Sequence, residues 1–122
     1  MLADMFSLNI EAIDEFAICR IHGEIDSASA ASLREAMGTL AASRYVVLDF
    51  AGVPFIDSAG LGTLIGGTRR VREAGGDIVL CSPRRAIDRL LHAVGMDRIL
   101  PILETLPDAL HHFEQEPAQA LA

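Results

Sequence analysis

The sequence predicts an α/β domain: a single mixed, mostly parallel sheet of about five strands with about four helices. Short apolar runs of strand length alternate with stretches whose apolar residues recur at helical spacing, and such alternation with short links calls for parallel strands joined by crossover helices. The first two strand-like runs depart from this rule. Only Asp14-Glu15 separates them, which fits an antiparallel hairpin and makes the sheet mixed.

The first strand is read from Phe6, Leu8 and Ile10 alternating with Ser7, Asn9 and Glu11, a pattern that predicts one buried face. Phe16 to Ile21 is the second strand, and Gly23 ends it. Leu33, Ala36, Met37 and Leu40 then fall on one face of a helix, with Asp26 or Ser27 as its expected N-cap. Tyr45 to Phe50 is nearly all apolar and suits a strand covered on both faces. A loop from Ala51 to Asp57 holds Gly52 and Pro54. A second helix follows, with Leu61, Leu64, Ile65, Thr68 and Val71 in line and Gly75-Gly76 supplying positive φ where it stops. Asp77 to Cys81 is a fourth strand. Ser82-Pro83 is expected to start a third helix, with Ile87, Leu90, Leu91 and Val94 inward and Gly95 after it. Ile99 to Leu103 reads as a last strand, placed at an edge by Pro101. Thr105-Leu106-Pro107-Asp108 opens a final helix that runs to about Phe113 or Gln115. One domain over 1–115 is expected, with a flexible C-terminal tail over 116–122.

Composition narrows the chemistry. The chain has 122 residues, 51% of them hydrophobic, and a formal net charge of −7. It is long enough to bury a core without disulfides or metal, and no apolar run approaches the ~18 residues of a membrane span. Met1-Leu2-Ala3-Asp4 shows no basic n-region of a secretory signal, so a cytoplasmic location is expected. The acidic balance argues against direct binding to nucleic acid, whose phosphates require a basic footprint. All ten basic side chains are Arg. Without Lys, neither a Walker-type phosphate loop nor a Schiff-base enzyme is available. Cys19 and Cys81 lie too far apart for a metal knuckle or redox motif and read as small buried hydrophobes.

Sites in such sheets gather in the loops after the strands. Gly23-Glu24-Ile25-Asp26 follows the second strand, and Phe55 to Gly62 follows the third. In the latter, Phe55, Ile56 and Leu61 are apolar where polar residues are expected. Gly60 and Gly62 fall in the first turn of a helix, at roughly 1 kcal/mol each relative to Ala. Close approach of another backbone, or of a partner protein, would account for them. Ser58 stands where that helix starts, either as its cap or as a phosphorylation site. A phosphate there would be favoured by the helix N-terminus and would add about −1.5 to −2 charge beside Asp57.

Other constellations are weaker. Gly60-Leu61-Gly62-Thr63-Leu64-Ile65-Gly66 misses the dinucleotide fingerprint by one place. His22, Asp26 and Ser58 would make a hydrolytic triad only if the two loops met, and Asp57-Ser58-Ala59-Gly60 is not a nucleophile elbow. His111-His112 has no ligand partner at metal spacing. No catalytic residue, metal site or cofactor of the chain's own is therefore assigned. Arg69, Arg70 and Arg72 form a basic cluster, either a solvated face or a patch that meets acidic groups on a partner.

Three segments in order resemble those of STAS-domain anti-sigma factor antagonists. Val47 to Gly62, with Asp57-Ser58-Ala59-Gly60-Leu61-Gly62 at its end, is similar to the family's Asp-Ser-Ser/Thr-Gly-Leu-Gly signature. Gly23-Glu24-Ile25-Asp26 resembles its Gly-Glu-Leu/Ile-Asp. Arg89-Leu90-Leu91 through Gly95-Met96-Asp97-Arg98-Ile99 resembles its Arg-Leu-Leu and Gly-Leu-Asp segment. The likeness runs from about residue 6 to 114. It implies a non-enzymatic partner switch in a bacterial cytoplasm. The unphosphorylated chain would bind an anti-sigma factor that is itself a serine kinase, freeing a sigma factor. Phosphorylation of Ser58 would end binding, and a serine phosphatase would reset it. The resemblance puts Asp26, Asp57, Ser58, Ala59, Gly60, Leu61 and Gly62 on the binding face. Ala59 departs from the family's Ser or Thr, which leaves Ser58 as the one acceptor in the motif. The alternative is a STAS scaffold subunit of a transporter or stress-signalling complex; the absence of a fused sensor or transport segment favours the first reading.

Overall fold

The computed structural model describes residues 5–115, so the tail expected over 116–122 lies outside them. The strands β1 (Ser7–Ile13), β2 (Phe16–His22), β3 (Tyr45–Gly52), β4 (Asp77–Cys81) and β5 (Ile102–Leu103) form one sheet in sequence order. β1 pairs antiparallel with β2, and every later pairing is parallel. Strands added one after another in the same direction through right-handed crossovers place every crossover helix on one face. Accordingly α1 (Ala30–Leu40), α2 (Ser58–Glu73) and α3 (Arg85–Ala93) share one side of the sheet, and α4 (Leu106–Gln115) returns to cover the other.

Two cores result. Leu33, Met37 and Leu40 of α1, Leu64 and Val71 of α2, and Ile87 and Leu91 of α3 pack on Cys19, Ile21, Leu48, Phe50 and Leu80. On the opposite face Phe113 of α4 meets Tyr45, ring centroids 4.8 Å apart, and Phe16 at 6.1 Å, over Ile18, Val47 and Val79. β3 is buried on both faces, as its unbroken apolar run requires. Gly67 lets α1 and α2 touch: a Cβ there would overlap the Met37 side chain, 2.6 Å from its Cγ.

The structure corrects several boundaries. β1, the edge strand among the described residues, has no fully buried face; Phe6 and Leu8 are half-buried and Ile10 is 39% exposed. α1 starts at Ala30 behind Ser29, not behind Asp26 or Ser27, because residues 26–29 first make a turn of their own. Only Gly75 of the Gly75-Gly76 pair has positive φ, +94°. Gly76 is needed because a Cβ would stand 2.8 Å from the Ser43 and Arg44 carbonyl oxygens. α3 begins at Arg85, since Ser82 takes a left-handed φ of 58° that no helix continues. Val94 ends α3 at 52% exposure rather than facing inward. The last strand shrinks to Ile102–Leu103, because Met96–Arg98 coils into a 3-10 turn and Ile99 closes it.

Cys19 and Cys81 are free and buried. Burial pushes both thiols from 9.0 up to about 11. The folded chain therefore holds protons that the unfolded chain releases between about pH 9 and 11, so these thiols make stability fall as pH rises through that window. The double variant Cys19→Ala/Cys81→Ala should show a shallower decline in urea midpoint there than the parent, and an identical slope would contradict the assignment. Gly67→Leu should cost roughly 1–3 kcal/mol by urea unfolding, as overpacking between two helices does.

Candidate functional site

The two loops singled out in the sequence meet at the carboxyl ends of β2 and β3, joined by their backbones. The Gly23 amide donates to the Gly52 carbonyl at 3.0 Å, Ile25 to Phe55 at 2.9 Å, and Asp57 to Ile25 at 3.1 Å. Ile25 and Ile56 thus form a parallel bridge beyond the strands, with both side chains buried. Gly60 is what permits the contact. A Cβ there would lie 2.7 Å from the Ile25 carbonyl oxygen and 2.8 Å from Ile56 Cγ1, so one of the two first-turn glycines is explained by a neighbouring backbone. Gly62 is not, for a Cβ there would meet nothing within 4 Å.

Each loop is braced by a carboxylate. Asp26 Oδ1 accepts from the amides of Ala28 at 2.9 Å and Ser29 at 3.1 Å. The buried Ser29 hydroxyl donates to the Glu24 carbonyl at 2.8 Å and accepts from the Asp26 amide at 2.9 Å. Composition gave no hint of Ser29; a Ser three residues beyond an Asp in a turn was the available signal. At the second loop Asp57 is the N-cap of α2, its Oδ1 accepting from the Gly60 amide at 3.0 Å.

Ser58 is therefore not the cap. It is the first residue of α2, exposed, and its hydroxyl makes no hydrogen bond among the described residues. Around it Gly62 is exposed, while Asp26, Asp57, Ala59 and Leu61 are half-buried. Gly60 is buried. Phe55 stands beside them at 47% exposure, a large apolar ring kept on the rim. The triad of His22, Asp26 and Ser58 is not assembled. The His22 ring lies over Gly52, where a Cβ would stand 2.8 Å from its Cε1, and no hydrogen bond links the three side chains. Among the described residues, no group of three or more His, Cys, Asp or Glu is placed to hold a metal ion. The arginine cluster divides: Arg72 pairs with Asp77 at 3.5 Å and donates to the Ile99 carbonyl, whereas Arg70 Nη2 donates to the Arg34 carbonyl at 3.1 Å and Arg69 is exposed.

The rim is thus fastened from beneath by backbone bonds, with the Phe55 ring exposed and one unengaged hydroxyl at a helix start. Asp57→Ala should cost about 1 kcal/mol through loss of the α2 cap. Asp57→Asn, which keeps an accepting oxygen, should recover most of that in the same urea titration. Equal losses for both would mean that the carboxylate charge, not the cap bond, holds the turn.

Comparison with known proteins agrees with this fold. The STAS domain family matches residues 7–109. An anti-sigma F factor antagonist of Paenibacillus polymyxa is 30% identical over 100 residues, covering 80% of this chain and 86% of its own. The anti-sigma-F factor antagonist RsfB of Mycobacterium tuberculosis is 31% identical over 111 residues, covering 88% of each chain. The crystal structure of an anti-sigma factor antagonist from Mycobacterium paratuberculosis superimposes with a TM-score of 0.80 at 29% identity, covering 89% of this chain and 94% of the other. With its five-stranded sheet, four helices and a match over most of its length, the chain belongs to the STAS domain family.

Proposed function

We propose that this chain is an anti-sigma factor antagonist that binds its partner through the rim around Ser58 and is switched off by phosphorylation of that residue. The observation that carries the reading is the exposed, unbonded Ser58 hydroxyl at the first position of α2, beside the exposed Phe55. Relatives 30% and 31% identical over most of this chain bear the antagonist name, which favours this reading over a scaffold subunit of a transporter.

The chain's own residues supply a surface, not a reaction. Asp57 already engages the Gly60 amide, so a phosphate on Ser58 would stand next to a fixed carboxylate. The macrodipole of α2 offsets part of the repulsion within the chain, which keeps the phosphoprotein folded. Against a bound partner nothing offsets it, and an unpaired charge left in an interface costs on the order of 3–5 kcal/mol. At 1.4 kcal/mol per decade that is a loss of roughly a hundredfold or more. A serine-kinase anti-sigma factor would supply the phosphoryl group from ATP, a serine phosphatase would remove it, and the exchange would run in the cytoplasm. No helix among the described residues is long and apolar enough to cross a membrane.

The test uses the anti-sigma factor kinase of the same organism, purified, with ATP. Mass spectrometry should place one phosphate on Ser58 and none on Ser58→Ala. In calorimetry Ser58→Ala should bind the kinase as the parent does, while Ser58→Asp should bind at least tens of times more weakly. A phosphate at another residue, or equal binding by both variants, would refute the switch.

A further inference from the structure

We propose that the groove between α1 and α2 seats an acidic helical segment of the anti-sigma factor, held by Arg34, Arg69 and Arg70. The inference rests on the antagonist reading and adds to it the chemistry of what the partner brings. The groove is open, ≈ 540 Å³ in volume, with Ser58 at one end and the three arginines at the other. Ala30, Ala59, Gly62 and Gly66 also line it. Thr63 contributes no free donor, because its hydroxyl already bonds the Ala59 carbonyl at 3.0 Å.

The charge of the groove opposes that of the chain. Seventeen acidic residues outnumber ten basic ones overall, yet no carboxylate lines this groove and three guanidinium groups do. Arg34 and Arg69 are exposed, and among the described residues neither guanidinium makes a hydrogen bond or ion pair. Arg70 is braced against the Arg34 carbonyl. Arg72, its neighbour in sequence, turns away to Asp77 and the Ile99 carbonyl and does not line the groove. Planar guanidinium groups left free in this way suit carboxylates, which they bind in pairs of parallel hydrogen bonds.

The shape points to a helix. α2 carries four glycines, and they divide by purpose. Side chains at 60 and 67 would collide with Ile25 and Met37, whereas side chains at 62 and 66 would meet nothing within 4 Å. Each of the latter two costs about 1 kcal/mol relative to Ala, and internal packing returns none of it. Four residues apart, they fall on one face of α2 and leave a bare strip where the backbone of another helix can come close. Laying an amphipathic helix into such a groove is a common mode of recognition. A second copy of this chain does not fit, because among the described residues none of its helices has an acidic face: α1, α2 and α3 carry one carboxylate each, and α4 carries Asp108 and Glu114 beside two His. Ser58 at the groove's mouth would, once phosphorylated, repel the acidic segment.

The purified anti-sigma factor is titrated into the parent chain, into Arg34→Glu/Arg69→Glu, and into Arg89→Glu/Arg98→Glu, which reverses two exposed arginines off the groove with the same change in charge. The groove variant should lose about tenfold or more in affinity at low salt and less at high salt, while the control stays within about threefold of the parent. Gly66→Leu, which fills the groove without altering charge, should weaken binding at every salt concentration. Equal losses in both double variants would reveal a net-charge effect and overturn the groove. Parental affinity in all the variants would overturn the groove and leave the antagonist reading standing. No binding by the parent would overturn both. A benzophenone side chain placed at Gly62 should cross-link to an acidic helix of the anti-sigma factor; a cross-link to a second copy of this chain, or to a neutral segment, would count against the proposal.

Discussion

The rim depends on one short stretch of backbone pairing, the bridge between Ile25 and Ile56. β2 and β3 end several residues before the loops do, yet the two chains keep exchanging hydrogen bonds, Ile25 to Phe55 and Asp57 to Ile25. Those bonds take the place of water for polar groups beside two buried isoleucines. They also set Asp57 where its carboxylate reaches the Gly60 amide. Once Asp57 caps α2, Ser58 has no structural task, and its hydroxyl stays outside. The bridge requires that α2 begin without a Cβ at Gly60. A helix-weakening residue in a first turn therefore follows from a contact made in front of the helix.

On the proposed function, stability and recognition are carried by different atoms of one short segment. Ile56, Gly60 and Leu64 face the core, while Ser58 and Gly62 face solvent. Asp26 and Asp57, on the binding face by family resemblance, each engage one carboxylate oxygen in a turn or cap. Their geometric work is to hold the two loops, and the second oxygen of each stays outside these bonds. That division explains why apolar residues occupy a turn that is polar in most proteins: Ile56 is anchored, and Phe55, its neighbour, is turned outward by the strand-like alternation of the bridge.

Much of the fold was legible because period and punctuation agreed. The unbroken run over Tyr45 to Phe50 matched a doubly covered strand, the two-residue link at Asp14-Glu15 matched a hairpin, and Thr105 opened α4 by accepting from the Asp108 amide at 3.1 Å. The errors came where tertiary context decides. Alternation in β1 cannot tell an edge strand from a central one, so the exposure of Ile10 was invisible. Ser82-Pro83 looked like a helix start, but a left-handed Ser82 delays α3 to Arg85. At the site, Asp57 and Ser58 side by side are both good caps in sequence, and only the backbone bridge selects Asp57 and leaves the Ser58 hydroxyl unbonded. Arg34 lies in a helix distant in sequence from the α2 arginines, and only the packing of Met37 on Gly67 brings them to one groove.

The same packing constrains how a phosphate on Ser58 could be read on the proposed function. α2 cannot slide without breaking the Asp57 cap, the close contact at Gly60 and the burial of Leu64 and Val71. Packed interfaces of this kind hold discrete arrangements rather than deforming gradually. The left-handed non-glycine residues, Asp14 and Ser82, lie in other turns. A charge added at the first position of the helix therefore has its effect where it stands. On the proposed function the switch is a change in what the surface can bear against a partner, with the fold behind it left as it was.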